Sequence, residues 1–166
     1  PFLVMGVFVS VYNYLGFRLG AAPFDLSQAE IGWIFSAYVF GIVSSTVAGG
    51  LSDRFGRGPV VVAGVVVAAA GVLLTLAPTL WMIVPGLVLL TIGFFIAHAA
   101  ASAWVGRLGR THRSHAASLY LLSYYMGSSL IGATSGWLWA HGGWPVLAGG
   151  ALVLLALAFV AARHLQ

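Results

Sequence analysis

Residues 49–59 read GGLSDRFGRGP, a charged passage between two long apolar runs in a 166-residue chain that is only 6% charged. Asp53, Arg54 and Arg57 crowd into that passage, although the whole chain holds only seven basic and three acidic side chains. A soluble domain is about a quarter charged, because water-facing surface must be solvated. At 61% hydrophobic, this chain cannot clothe such a surface, and it belongs in a lipid bilayer. Its few charges mark the places where the chain leaves the hydrocarbon.

Outward from that passage, six stretches are long and apolar enough to cross: 1–20, 29–51, 58–78, 81–105, 114–139 and 144–163. A helical crossing takes about 20 apolar residues, and isolated strands would leave backbone groups unpaired in lipid. The expectation is an all-α membrane protein of six transmembrane helices. The connections carry turn and cap chemistry. Ser27-x-x-Glu30 forms a capping box for the second span, and Pro145 suits an early helical position in the sixth. Gly56 and Gly58 permit a tight bend with positive φ before Pro59, which suits the first turn of the third span. A net charge of +4 over 17.3 kDa is too thin to imply nucleic acid as a partner. With no cysteine, disulfides and thiolate metal sites are excluded, and no cofactor or metal is expected. No basic segment of the kind that opens a cleaved signal peptide precedes the first apolar run. Pro1 enters that run directly, so the sequence reads as a piece of a longer chain.

The arginines give a direction. Arg54 and Arg57 follow the second span, Arg107, Arg110 and Arg113 the fourth, and Arg163 the sixth, so six of the seven basic residues share one side. The positive-inside rule puts that side in the cytoplasm. Arg18 lies opposite, as an interfacial anchor or as a partner for Asp25 or Glu30.

Polarity divides the spans. The third has one hydroxyl, Thr75, and the sixth has no polar side chain, whereas the first, second, fourth and fifth carry tyrosines, serines, Asn13 and His98. Unpartnered polar groups are costly in lipid, so these four spans are expected to face one another or a wet cavity, with the third and sixth as outer props. Each triplet, 1–2–3 and 4–5–6, then ends in its greasiest member, as two three-helix repeats of a transporter would. Gly41, Ser45 and Gly49 recur along the second span, and Ser128, Gly132 and Gly136 along the fifth, rows that admit a close neighbour.

Asp53 ends a helix, where the dipole disfavours a lone carboxylate, so it is expected to seek an arginine or the N-terminal end of another helix. Here the sequence resembles a known family. GGLSDRFGR is similar to the Gly-x-Leu-x-Asp-Arg-x-Gly-Arg pattern that follows the second helix of each six-helix half in the major facilitator superfamily; Gly58 stands where that pattern has a basic residue. YNYLGFRL, GFFIAHAAASAWVG and ASLYLLSYYMGSSLIG look like the C-terminal half of its drug/proton and sugar efflux branch. The resemblance implies one half of that fold: residues 1–166 as helices seven to twelve, with an N-terminal six-helix half as partner. It implies a multi-pass protein of the bacterial inner (plasma) membrane that moves a small organic solute or drug outward, driven by protons, through alternating access. It also makes the loop a conformational latch. Asp53 would engage a neighbouring helix end, Arg57 would pair across the loop beside Arg54, and Gly49 and Gly56 would allow close approach.

The remaining candidates come from the residues themselves. Asn13, between Tyr12 and Tyr14, is either packing glue or a cavity donor. Tyr120, Tyr124 and Ser128 share a face at i, i+4 and i+8, either a stripe for amphipathic, ring-containing or hydroxylated ligands or an aromatic seam packed on the second span. His98 is the one ionisable residue deep in a span, so it is a proton site or a neutral histidine bonded to a neighbouring helix. GATSG at 132–136 offers Ser135 as the nucleophile of an intramembrane protease, but the sixth span places no histidine base within reach, so no enzyme is expected. A non-transporting assembly or sensor domain is the alternative to transport.

Overall fold

Every regular element in the computed structural model, which describes residues 1–164, is helical. Helix α1 (Phe2–Leu19) buries Val7, Val11, Leu15 and Leu19, a row one helical turn apart that faces the bundle. Helix α2 (Gln28–Phe35) starts at the expected capping box: the Ser27 N–H donates to the Glu30 carboxylate at 2.8 Å, and the Glu30 N–H donates back to Ser27 Oγ at 3.3 Å. A 3₁₀ turn, Ser36–Tyr38, joins α2 to α3 (Val39–Phe55). Gly49 to Phe55 are therefore helical, and the turn into α4 (Arg57–Leu74) is the single residue Gly56, at φ 85° and ψ 158°. Gly58 does not share the bend; it lies inside the first turn of α4 beside Pro59, where a missing N–H costs nothing.

Helix α5 (Leu80–Leu108) is followed by α6 (Arg113–Met126), a π turn (Gly127–Ile131) and α7 (Gly132–His164). Arg113–His164 is an apolar stretch of 52 residues, roughly 78 Å long at 1.5 Å per residue, more than twice the hydrocarbon thickness of about 30 Å. Gly143, at φ 58° and ψ −149°, breaks it. Residues 132–142 complete the fifth crossing and 144–164 make the sixth, with Pro145 in its first turn. Divided at Gly143, the five long apolar helices give six segments long enough to cross a bilayer, the number expected.

The tightest seam joins α4 to α5. Gly64 and Gly71 on one helix meet Gly93 and Gly86 on the other, and a methyl at Gly64 would come within 2.7 Å of the Ala97 nitrogen and the Gly93 oxygen. In lipid, where no hydrophobic force draws helices together, such backbone proximity is what gains dispersion contacts. This overturns the division into working helices and outer props. Val65, Ala68 and Val72 of α4, and Leu147, Ala148, Ala151 and Leu155 of α7, are buried core. Ile42, Val43 and Val47 of α3, with Leu119, Leu122 and Tyr125 of α6, are exposed. Hydroxyl content misleads because Ser36, Ser45, Thr46 and Thr134 each donate to a carbonyl three or four residues back on their own helix, and so need no wet partner. The expected small-residue rows also behave unevenly: Gly41 receives the Phe95 ring and Gly136 the Tyr14 hydroxyl, while nothing packs on Gly49.

Arg18 pairs with neither Asp25 nor Glu30. Its guanidinium donates to the carbonyls of Thr75 and Ala77 (2.8 Å to the latter) and lies over the Trp144 ring, 5.3 Å from the centroid. Trp144 Nε1 donates to the same Thr75 oxygen at 2.9 Å. The end of α4 has carbonyls with no helical partner, and one cation and one indole satisfy them.

Candidate functional site

At the arginine-bearing end, Asp53 in the last turn of α3 reaches Arg107 in the last turn of α5, 3.9 Å from carboxylate to guanidinium. The α3 dipole makes Asp53 unwelcome where it stands, and Arg107 supplies the expected counter-charge from a neighbouring helix end. Both side chains are mostly exposed, 74% and 57%, so the contact is solvated and easily exchanged. Arg57 does not provide that partner; its Nε is buried without an acceptor, and Arg54 stacks on Phe55.

Deeper in the bundle, a set of rings links α1, α5, α6 and the 3₁₀ turn. Phe8 of α1 stacks on Phe94 of α5 at 4.1 Å, and Phe94 stacks on His98 at 5.7 Å. His98 in turn meets Tyr124 at 5.0 Å and Tyr120 at 5.6 Å, both from α6. Toward the other end Phe8 meets Tyr12, and Tyr38 stands edge-on to Phe95 at 5.2 Å. Tyr38 ends the 3₁₀ turn that joins α2 to α3.

Two hydrogen bonds pin this set. The single proton of Thr91 goes to the Leu87 carbonyl at 2.8 Å, so Tyr12 is the donor in its 2.7 Å contact with Thr91 Oγ1. Tyr120 is buried, with its hydroxyl 3.0 Å from His98 Nδ1 and 3.2 Å from the His98 carbonyl oxygen. The Tyr120 stripe therefore packs on the fourth span rather than on the second, and Tyr120 itself is occupied. Tyr124 and Ser128 are half-buried beside it, while Asn13 is exposed in a groove between α1 and α2 that Tyr12 and Phe35 also line. Tyr12, Tyr124, Ser128 and Asn13 thus keep surface that Tyr120 has lost. Ser135, which donates to Ser10 Oγ at 2.5 Å or to the Ile131 carbonyl at 2.7 Å, is a buried bridge between α1 and α7.

Residues 2–165 match the family model of the Major Facilitator Superfamily. The chain belongs to that superfamily. It is 41% identical over 165 residues to the inner membrane transport protein YnfM of Escherichia coli (strain K12), covering 99% of this chain and 40% of that protein. It is 35% identical over 157 residues to the uncharacterized MFS-type transporter YybF of Bacillus subtilis (strain 168), covering 95% of this chain and 39% of the relative. An uncharacterized transporter of Buchnera aphidicola subsp. Schizaphis graminum is 33% identical over 165 residues. The chain thus spans about two-fifths of the length of the curated relatives it matches, a fragment of the superfamily's fold and a multi-pass membrane protein of a transporter family.

Sequence reasoning names Arg107 only as a topology charge and Tyr38 and Thr91 only as span polarity, and it does not single out Phe8 or Phe94. Phe8 and Tyr12 at i, i+4, with Phe94 and His98 at the same spacing, were a legible signal of two ring-bearing faces. The position of Tyr38 was not, because it depends on a local change of helix type.

Proposed function

We propose that this chain is the C-terminal half, helices seven to twelve, of a twelve-helix secondary transporter. It exports a small organic solute or drug against a proton gradient by alternating access. What supports the reading is the uneven covering of the bundle: the faces of α3 and α6 stay exposed, with Tyr38, Tyr124, Ser128 and Asn13 among the accessible polar groups. A single six-helix bundle so arranged is one wall of a cavity, and an N-terminal six-helix half would be the other. The arginine-bearing turns lie in the cytoplasm of a bacterium, with the spans in its inner membrane. Asp25 lies in the loop before α2, Glu30 in the first turn of α2 and Asp53 in the last turn of α3, so a proton-carrying carboxylate at mid-membrane belongs to the other half, with His98 as this half's protonatable group.

The test is transport by the full-length protein in everted membrane vesicles. Candidate solutes should release protons from energised vesicles, and a protonophore should abolish their accumulation. Asn13→Ala and Tyr124→Ala should each weaken transport roughly fivefold or more, the worth of about one hydrogen bond or ring contact. The 166-residue chain alone should be inactive in liposomes; uptake by it would overturn the half-transporter reading.

Asp53 tests the latch separately. Asp53→Asn should leave thermal stability within about 1 kcal/mol, since exposed ion pairs contribute little, yet slow transport sharply. A variant that transports at the wild-type rate would remove Asp53 from the mechanism.

A further inference from the structure

We infer that the groove between α1 and α2 is a subsite for an uncharged, flat heterocycle that carries hydrogen-bond donors and acceptors side by side on its edge. The inference rests on the transport reading above and names the class of solute that this part of the wall selects.

The groove encloses about 460 Å³, within the range of small-molecule sites. All of its lining residues fall between Tyr12 and Phe35. It runs from the middle of α1 past Gly16 to Gly20 and across to Gln28, toward the end of the bundle opposite the arginine-bearing turns. That stretch of α1 is about 12 Å long at about 1.5 Å per residue, enough for two or three fused rings.

The walls are aromatic. Tyr12, Phe17 and Phe35 line the groove, with the Tyr12 and Phe35 rings 5.2 Å apart. Tyr12 donates its one proton to Thr91, which fixes the ring and leaves it no donor to offer a ligand. Such walls hold a flat ring by stacking. Donors come instead from Asn13 and Gln28, two of the three carboxamides in the sequence, and both are exposed here. A carboxamide presents a donor beside an acceptor, so it pairs in two places with a ring edge that carries the complementary pair. No ionisable side chain other than Tyr12 lines the groove. Nearby, the Arg18 guanidinium is held by the Thr75 and Ala77 carbonyls, and the Glu30 carboxylate by Ser27. A charge lodged in the groove would therefore meet no counter-charge, at the cost of its hydration.

Gly16 keeps the floor open. A methyl there would meet the Phe35 ring at 3.7 Å, an ordinary contact, and the backbone is helical, so neither packing nor φ requires glycine. Glycine weakens a helix relative to alanine. What it leaves in return is room for a ligand.

Lumiflavin is the probe: uncharged, three fused rings, an acceptor–donor–acceptor edge, and a fluorescence that stacking on aromatic side chains quenches. The full-length protein in detergent should bind it with quenching. The N3-methylated analogue, which has lost the edge donor, should bind roughly tenfold more weakly, the worth of about one hydrogen bond. Asn13→Leu should weaken lumiflavin by a similar factor yet barely affect the methylated analogue, since both changes remove the same contact. Gly16→Leu, which fills the groove, should abolish binding, whereas Gly16→Ala should bind as wild type does. Equal affinity of the wild type for the two flavins overturns the subsite, and that comparison stands whether or not the leucine variants fold. Lumiflavin binding that survives a folded Gly16→Leu protein overturns it too. So does no binding at all, and titrations with rhodamine 6G and methyl glucoside then tell a groove for lipophilic cations or sugars from one that another segment of the full-length chain fills. Proton release by any other solute, measured in parallel in everted vesicles, keeps the transport reading standing where lumiflavin fails.

Discussion

Gly71→Leu should leave the full-length protein without a stable fold. The Gly71 position faces the backbone of α5, where even a methyl would come within 2.6 Å of the Gly86 carbonyl oxygen and meet the Leu90 nitrogen. Overpacking a core costs about 1–3 kcal/mol when side chains can shift aside. Here the obstacle is main chain, so the two helices must separate along their length, and a total stability of about 5–15 kcal/mol does not absorb that. A graded series checks the cause: Gly71→Ala should lower the melting temperature in detergent, and Gly71→Leu should yield aggregate in size-exclusion chromatography. Gly149→Ala is the control, since nothing packs near that position and alanine favours helix. A Gly71→Leu protein melting near wild type would show that α4 and α5 are not in backbone contact.

Arg18→Gln should carry the next largest penalty, about 3 kcal/mol. Hydrogen bonds to a charged group are worth about 1.5–3 kcal/mol each, and Arg18 makes two, to Thr75 and Ala77, in a half-buried setting. Arg18→Lys should recover little, because an ammonium cannot fork between two carbonyls and lie flat on Trp144 at once. Trp144→Phe, which keeps the ring and loses one bond, should cost only about 1 kcal/mol. The readouts are the melting temperature and protease cleavage in the turn at residues 75–79. Full recovery by lysine would reduce Arg18 to a simple charge at the interface.

Where the sequence could be read, a local rule sufficed. The capping box at Ser27 and Glu30, the positive φ at Gly56 and the helix restart at Pro145 each depend on a few neighbouring residues, and each is found. The pairing of Arg18 with Asp25 or Glu30 fails because its partners are backbone oxygens nearly sixty residues away, invisible to any search for opposite charge. The glycines at 64 and 71 and at 86 and 93 are spaced seven apart on both helices, a pattern present in the sequence and overlooked in favour of the shorter rows at Gly41 and Ser128. Polarity failed as a guide to burial for a physical reason: a serine or threonine can satisfy itself on its own helix. Among the candidate residues, Asn13 and Tyr124 keep accessible surface, whereas Tyr120 closes on His98 across a helix boundary that spacing alone does not reveal.

Because glycine brings α4 and α5 together main chain to main chain, no layer of side chains lies between them to act as a slip plane. The pair moves as one beam. Any rocking that this bundle undergoes must find its give elsewhere, along α3 and α6, where bulky side chains rather than backbone form the surface.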